Sequence, residues 1–393
     1  MGVKLMTRKA SHIEFFEQTR NPLPGGILFK ALQPPREIIL AANTRVTLDA
    51  VVGILQAAKD TEQIVIFELA LSEMDRNGGY TGLTPKAFAE RVKKAAEIVG
   101  WYGYVLHADH ITIKKGTDEE IENIKKEIDA RIEAGFTSFA IDSSFLFNRN
   151  AKAVPEQLKE IIRTGIILFQ HIDERMDEKN YGKEGEVGEI GIEEFTTVEE
   201  AVHYVDKLKE NGVELDCLAI ANGSKHGVSV DAEGKIIPQL SINIQRTVEI
   251  VDALRKRGHR TGIAQHGITG TPIPLIAEKF PKGKVIKGNV GTEWMLIVWD
   301  ILQIFEPQLY QKIYNWTLEK YMKSGVPAQE IFVSNSKYAI KPFFNDLEKI
   351  SEDTKRAIRA KAYSQALIFF KAFGMEKTAE RVYRYLSKNK IEY

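Results

Sequence analysis

Residues 103–142, GYVLHADHITIKKGTDEEIENIKKEIDARIEAGFTSFAID, read as strand, helix, strand. Gly103 to Ala108 and Ser138 to Asp142 are short, β-rich and almost uncharged. Between them, Thr117 to Glu133 interleaves acidic and basic residues, while Ile121, Ile124, Ile128 and Ile132 recur at steps of three and four. That spacing puts the isoleucines on one helix face and leaves the charges on the other. Two strands joined by such a helix form a parallel pair, because a parallel connection must cross from one end of the sheet to the other.

The same alternation extends in both directions. Candidate strands are Glu37 to Ala42, Gln63 to Leu69, Gly103 to Ala108, Ser138 to Asp142, Gly185 to Glu189, Cys217 to Asn222, Thr261 to Gln265 and Lys284 to Lys287, with seven helical stretches between them. Thr47-Leu48-Asp49 and Thr84-Pro85 supply helix starts, through a capping residue and through a proline tolerated in the first turn. Eight strands alternating with helices predict an α/β fold, a (β/α)8 TIM barrel. Residues 1–293 are expected to form the barrel with an N-terminal extension. Residues 294–393 are expected to form additional C-terminal helices packed on the barrel or at a subunit interface, where Leu367-Ile368-Phe369-Phe370 reads as packing surface.

Composition narrows the function. The 393 residues carry 54 basic and 54 acidic side chains, a formal net charge of zero, so no global field draws the chain to nucleic acid or to an anionic membrane surface. No apolar run reaches membrane-spanning length, and the N-terminus lacks the apolar segment of a signal peptide. The expected location is cytoplasmic. A single cysteine, Cys217, excludes an intrachain disulfide and a multi-cysteine metal site, so a metal must rest on histidines and carboxylates.

Three histidines end three of the candidate strands, in LHADH (106–110), SKHG (224–227) and AQHG (264–267). The carboxyl ends of all strands in such a barrel face one site, so residues more than a hundred positions apart meet there. Three imidazoles with an open fourth position suit catalytic zinc. Gly227 and Gly267, each directly after a histidine, let backbone approach a ligand and expose amides to a phosphate. Asp109, between His107 and His110, is placed either to move a substrate hydroxyl proton or to orient a histidine. His107 stands close enough to support the site, whereas His12, His171, His203 and His259 read as surface or structural. In KEGEVGEIGIEE (183–194), Glu186 falls within a strand pattern, and Glu193 and Glu194 follow a glycine-rich bend able to close over a ligand. RNGG (76–79) reads as an exposed turn.

These segments resemble class II fructose-bisphosphate aldolases over roughly Ile38 to Thr292, with the C-terminal helices poorly matched. The resemblance implies Asp109 and Glu194 as catalytic residues, and His110, His226 and His266 as zinc ligands with Glu186 near the metal, another divalent ion being the alternative. It also implies Asn43 and, in KGNVGT (287–292), Asn289 and Thr292 on the substrate side, with Gly227, Gly267 and Thr269 around a phosphate. The implied activity is reversible aldol cleavage of a ketose bisphosphate, fructose 1,6-bisphosphate above all, by a homo-oligomer acting on phosphorylated ketoses and trioses. Two alternatives stay open: a metal-dependent sugar or sugar-phosphate epimerase or isomerase, and a noncatalytic barrel subunit of an aldolase complex. Two departures stand out. Gly267-Ile268-Thr269-Gly270 replaces the family's Gly-Gly-Ser-Gly run, and Gly291 stands where the family carries an aspartate.

Overall fold

The structure, a computed structural model, describes residues 10–188, 195–225, 227–231 and 235–393. Eight parallel strands close into a barrel in chain order: β1 (Ile39–Ala42), β2 (Val65–Ala70), β3 (Tyr104–Thr112), β4 (Ser138–Asp142), β5 (Gly182–Val187), β6 (Cys217–Ile220), β7 (Gly262–Gln265) and β8 (Val285–Val290). β8 closes on β1, with Ala41 opposite Asn289. The fold is a (β/α)8 barrel with C-terminal helices. A short antiparallel hairpin, Ser229–Val230 with Ile236–Ile237, rises after β6.

Several strand limits differ from the sequence expectation, and the site depends on two of them. β3 runs four residues past Ala108, because Ile111 and Thr112 pair with Ile141 and Asp142 after a register shift between Ala108 and Ile111. β8 continues through Gly288 and Asn289. A Cβ on Gly288 would stand 2.8 Å from the Phe373 ring and 2.9 Å from Ile268, so here glycine serves close packing and does not end the strand. β5 begins at Gly182 and stops at Val187, where Gly188 turns the chain with φ +85°. Of the strand expected to reach Glu189, that last residue lies outside the described residues.

Helices start at Leu48 and Pro85 as read, but the Thr47 side chain makes no cap hydrogen bond, whereas Thr84 and Thr117 each accept a backbone N–H three residues on, at Ala87 and Glu120. Helix Gly25–Ala31 lies across the amino ends of the strands. Leu23 and Gly25 donate their N–H groups to Tyr104 and Thr137, and Leu23, Ile27 and Leu28 are fully buried. The long helix Glu352–Phe373 lies on helix Leu48–Asp60, where a Cβ on Gly53 would collide with the Arg359 carbonyl, and Arg359 Nε donates to Asp49 at 2.6 Å. Phe369 and Phe370 are buried in this packing, whereas Ile368 is exposed. No helix among the described residues is long and apolar enough to cross a membrane.

Candidate active site

The site grows from an irregularity in β3. Side chains alternate faces along a strand, so His107 and Asp109 face the barrel interior and His110 belongs outside. The register shift and the left-handed backbone of His110 (φ +38°) break that alternation. Consecutive residues, Asp109 and His110, thereby turn toward one cavity of about 700 Å³ at the carboxyl end of the barrel.

Within that cavity His110 Nε2 lies 3.2 Å from His266 Nδ1 and 4.0 Å from Asp109 Oδ2. His110 Nδ1 lies 2.9 Å from Glu186 Oε2 and 3.3 Å from Asp142 Oδ2. Asn43, Gly227, Gly267, Thr269, Asn289 and Thr292 line the same cavity. His226 and Glu194 lie outside the described residues.

Burial and close charges shift the ionisation of these groups together. Burial opposes charge on His110, yet Glu186 and Asp109 outweigh it and lift the imidazole well above its ordinary pKa. Burial and the neighbouring Asp142 charge push Glu186 up to about 8. Burial and His110 both hold His266 down. The donors around His110 fall in two sets, Asp109 and His266 at Nε2, and Asp142 and Glu186 at Nδ1. Asp109, His110 and His266 offer ligand atoms within 4.8 Å of one another, and so do His110, Asp142 and Glu186. Nitrogen and carboxylate donors of this kind suit zinc, and the 3.2 Å between the ring nitrogens matches the roughly 3.3 Å that two imidazoles span across a tetrahedral ion bound at about 2.05 Å.

Beneath the histidines lies a buried ionic cluster that sequence reading missed. Lys287 Nζ is 2.8 Å from Glu184, 3.0 Å from Glu68, 2.9 Å from His107 Nε2 and 3.7 Å from Asp109. Burial resists the charge on Lys287, but Glu184 and Glu68 raise its pKa and keep the amine protonated. Burial tends to raise Asp109, yet His110, Lys287 and His266 pull it well below the carboxylate range. Burial and Lys287 drive His107 down to about 3, so it stays neutral, with Nδ1 2.7 Å from Ser138. Asn289 Nδ2 donates to Glu68 at 2.9 Å and Asp109 at 3.3 Å, and its Oδ1 meets no donor among the described residues. The signal available in sequence was alternation: Glu184 sits two residues before Glu186 on one strand, and Lys287 two before Asn289 on another.

Across the cavity, Gly227 and Gly267 take left-handed backbone (φ +81° and +72°). A Cβ on Gly267 would sit 2.6 Å from the Lys225 carbonyl, which makes glycine obligatory there. The Thr269 hydroxyl accepts the Glu293 N–H at 3.4 Å, leaving its own proton to donate, beside the start of helix Thr292–Phe305. Helix N-terminal amides and a hydroxyl form a phosphate-compatible corner.

Three of the other histidines and RNGG are held by acidic side chains away from the cavity. His12, His171 and His259 pair with Glu62, Asp129 and Asp206 at 2.9, 2.9 and 2.7 Å, and Arg76 of RNGG binds Glu127 at 2.8 Å.

A family model described as fructose-bisphosphate aldolase class-II matches residues 28–361. The span reaches well beyond Thr292, into the helices that pack on the barrel and were expected to match poorly. A search of curated proteins by sequence finds no match. Among solved structures, fructose-bisphosphate aldolase (Fba) from Campylobacter jejuni is 18% identical, covering 91% of this chain and 97% of that one at a TM-score of 0.59. The YdjI aldolase from Escherichia coli K12 is 16% identical (90% and 98% covered, TM-score 0.56). The fructuronate-tagaturonate epimerase UxaE from Cohnella laeviribosi is 13% identical (91% and 82%, TM-score 0.55). At these identities the likeness is one of fold.

Proposed function

Because this chain belongs to the class II fructose-bisphosphate aldolase family, we propose that it catalyses metal-dependent aldol cleavage of a phosphorylated ketose, with fructose 1,6-bisphosphate the first substrate to test. The observation that carries this reading is the convergence of Asp109, His110 and His266 on one point of the cavity. His110 and His266 would hold the ion, with His226 as the third histidine and Glu186 beside it; zinc fits this donor set best. When bound, the metal supplies a Lewis acid that polarises the substrate ketone and offsets developing negative charge.

The chain's own residues divide the remaining work. Asp109, kept ionised by Lys287 at 3.7 Å, takes the proton from the C4 hydroxyl. The C3–C4 bond then breaks, its electron pair moves toward the C2 oxygen as an enediolate, and C4 leaves as an aldehyde. Asn289, held by Glu68 and Asp109 in the cavity wall, is placed on the substrate side. Gly267, Thr269 and the start of helix Thr292–Phe305 hold the C1 phosphate. Glu194 returns a proton to C3, completing dihydroxyacetone phosphate.

An imine mechanism finds less support. Lys225, the lysine nearest the histidine motifs in sequence, is exposed, and the interior Lys287 is held protonated by its carboxylates. Epimerisation is a second reading, since Gly291 departs from the family's aspartate at the end of the cavity that Glu73 also lines. The test is solvent deuterium exchange into dihydroxyacetone phosphate, which reports the enediolate half-reaction alone. Exchange that is abolished by chelator and slowed in Glu194→Gln supports the proposal; exchange that survives chelation refutes it.

A further inference from the structure

Arg45 reaches the cavity from the loop after β1 and is only 8% exposed. Three neighbours fix its guanidinium. Nε donates to Asn43 Oδ1 at 3.0 Å, Nη1 donates to the Tyr80 hydroxyl at 3.0 Å, and Nη1 lies 3.2 Å from Glu73 Oε1. Glu73 is fixed in turn, accepting from Tyr80 at 2.7 Å, from the Ala70 amide at 2.8 Å and from Asn43. Nη2 has no hydrogen-bond partner among the described residues.

The position of Nη2 explains Gly291. That glycine has φ −114°, a backbone any residue adopts, so conformation does not require it. Space does: a Cβ at 291 would stand 2.5 Å from Arg45 Nη2. A long side chain usually yields to such a clash, but this one is tethered at three points. The place where the resembled family carries an acidic side chain is therefore open for a cation.

We infer that Arg45, admitted by Gly291 and held by Glu73 and Tyr80, is a specificity residue that binds an oxyanion on the end of the sugar away from the Thr269 corner. The inference rests on the cavity being the substrate site. Arg45 lines the cavity with Nη2 unpaired among the described residues on a planar, permanently charged guanidinium, the donor group that carboxylate and phosphate oxygens match. A second cation stands in the same wall: Lys337, from the C-terminal helices, lies over the Tyr80 and Tyr338 rings and has no carboxylate partner among the described residues. Arg45 and Lys337 thus put two cationic side chains in the wall that holds Glu73. The ligand class is an acyclic sugar phosphate whose far terminus carries a carboxylate or a second phosphate, not a bare hydroxymethyl group.

The test uses three compounds that cannot be cleaved: a hexitol 1,6-bisphosphate, a hexonate 6-phosphate and a hexitol 6-phosphate. Calorimetric binding to the zinc-loaded protein is compared for wild type, Arg45→Met, Arg45→Lys and Gly291→Ala. Wild type should hold one or both doubly anionic compounds at least about tenfold tighter than the hexitol monophosphate, and which one it prefers separates phosphate from carboxylate. Arg45→Met should erase that preference while changing monophosphate binding less than about twofold. Arg45→Lys should restore part of it, and Gly291→Ala should weaken it with the charge unchanged. Equal wild-type binding of all three compounds, no binding of either doubly anionic one, or an equal loss on all three in both Arg45 variants overturns the inference. Oxyanion-selective binding by a protein that cleaves nothing would refute the aldolase reading and leave this one standing.

Discussion

His110 Nε2 and His266 Nδ1 face each other at 3.2 Å, although 156 positions separate them in the chain. Both take part in the proposed metal centre, so His110→Ala and His266→Ala should each lose bound zinc together with turnover while keeping the fold. Burial works against a proton on His110 but Glu186 and Asp109 retain it, so binding a metal must expel that proton. Zinc affinity should therefore rise with pH through neutrality. Metal analysis of the variants and zinc titrations at several pH values check both statements, and an affinity that falls with rising pH would count against the site.

Asp109 separates proton transfer from metal retention. Replacement by alanine should lower turnover by about 10²-fold or more, the scale of general acid–base catalysis, with zinc content unchanged. Parallel loss of zinc would instead make Asp109 a residue that orients His110.

Glu68 offers a test in the metal-free protein. Burial and the Asp109 charge lift its pKa from 4.5 to about 8, against the pull of Lys287. Between those values the folded state keeps a proton that the unfolded chain has released. Glu68's contribution to stability is thus fully present below about pH 4.5 and is lost as pH rises toward 8. Glu68→Gln cannot titrate. Denaturant unfolding in chelator should show the difference between variant and wild type moving in the variant's favour from pH 5 to pH 8; a constant difference would show that Glu68 is already ionised.

Gly53 tests how the C-terminal helices are held. A Cβ there meets the Arg359 backbone, which cannot rotate away, so Gly53→Val should cost about 1–3 kcal/mol of stability through overpacking. Unfolding midpoints within error of wild type would mean that helix Glu352–Phe373 is free to shift.

The barrel was legible because its signal is local: Ile121, Ile124, Ile128 and Ile132 state a helix within a dozen residues, and Ser138 to Asp142 a strand within five. His110 and His266 were legible because strand ends converge whatever lies between them. Arg45, Glu73 and Tyr80 were not. Their network joins loop residues across 35 positions, and each alone looks like an ordinary solvated side chain. Gly291 was visible as a departure, but its physical reason lay in Arg45, 246 residues earlier. Lys337 was hidden differently, since nothing in the helix containing it points to a cavity formed by the distant barrel.

The most direct measurement is product analysis after the purified, zinc-loaded chain is incubated with fructose 1,6-bisphosphate, with and without chelator. Aldol cleavage predicts dihydroxyacetone phosphate and glyceraldehyde 3-phosphate in equal amounts, and neither once the metal is removed. Recovery of only six-carbon sugars, or the same triose yield in chelator, would contradict it.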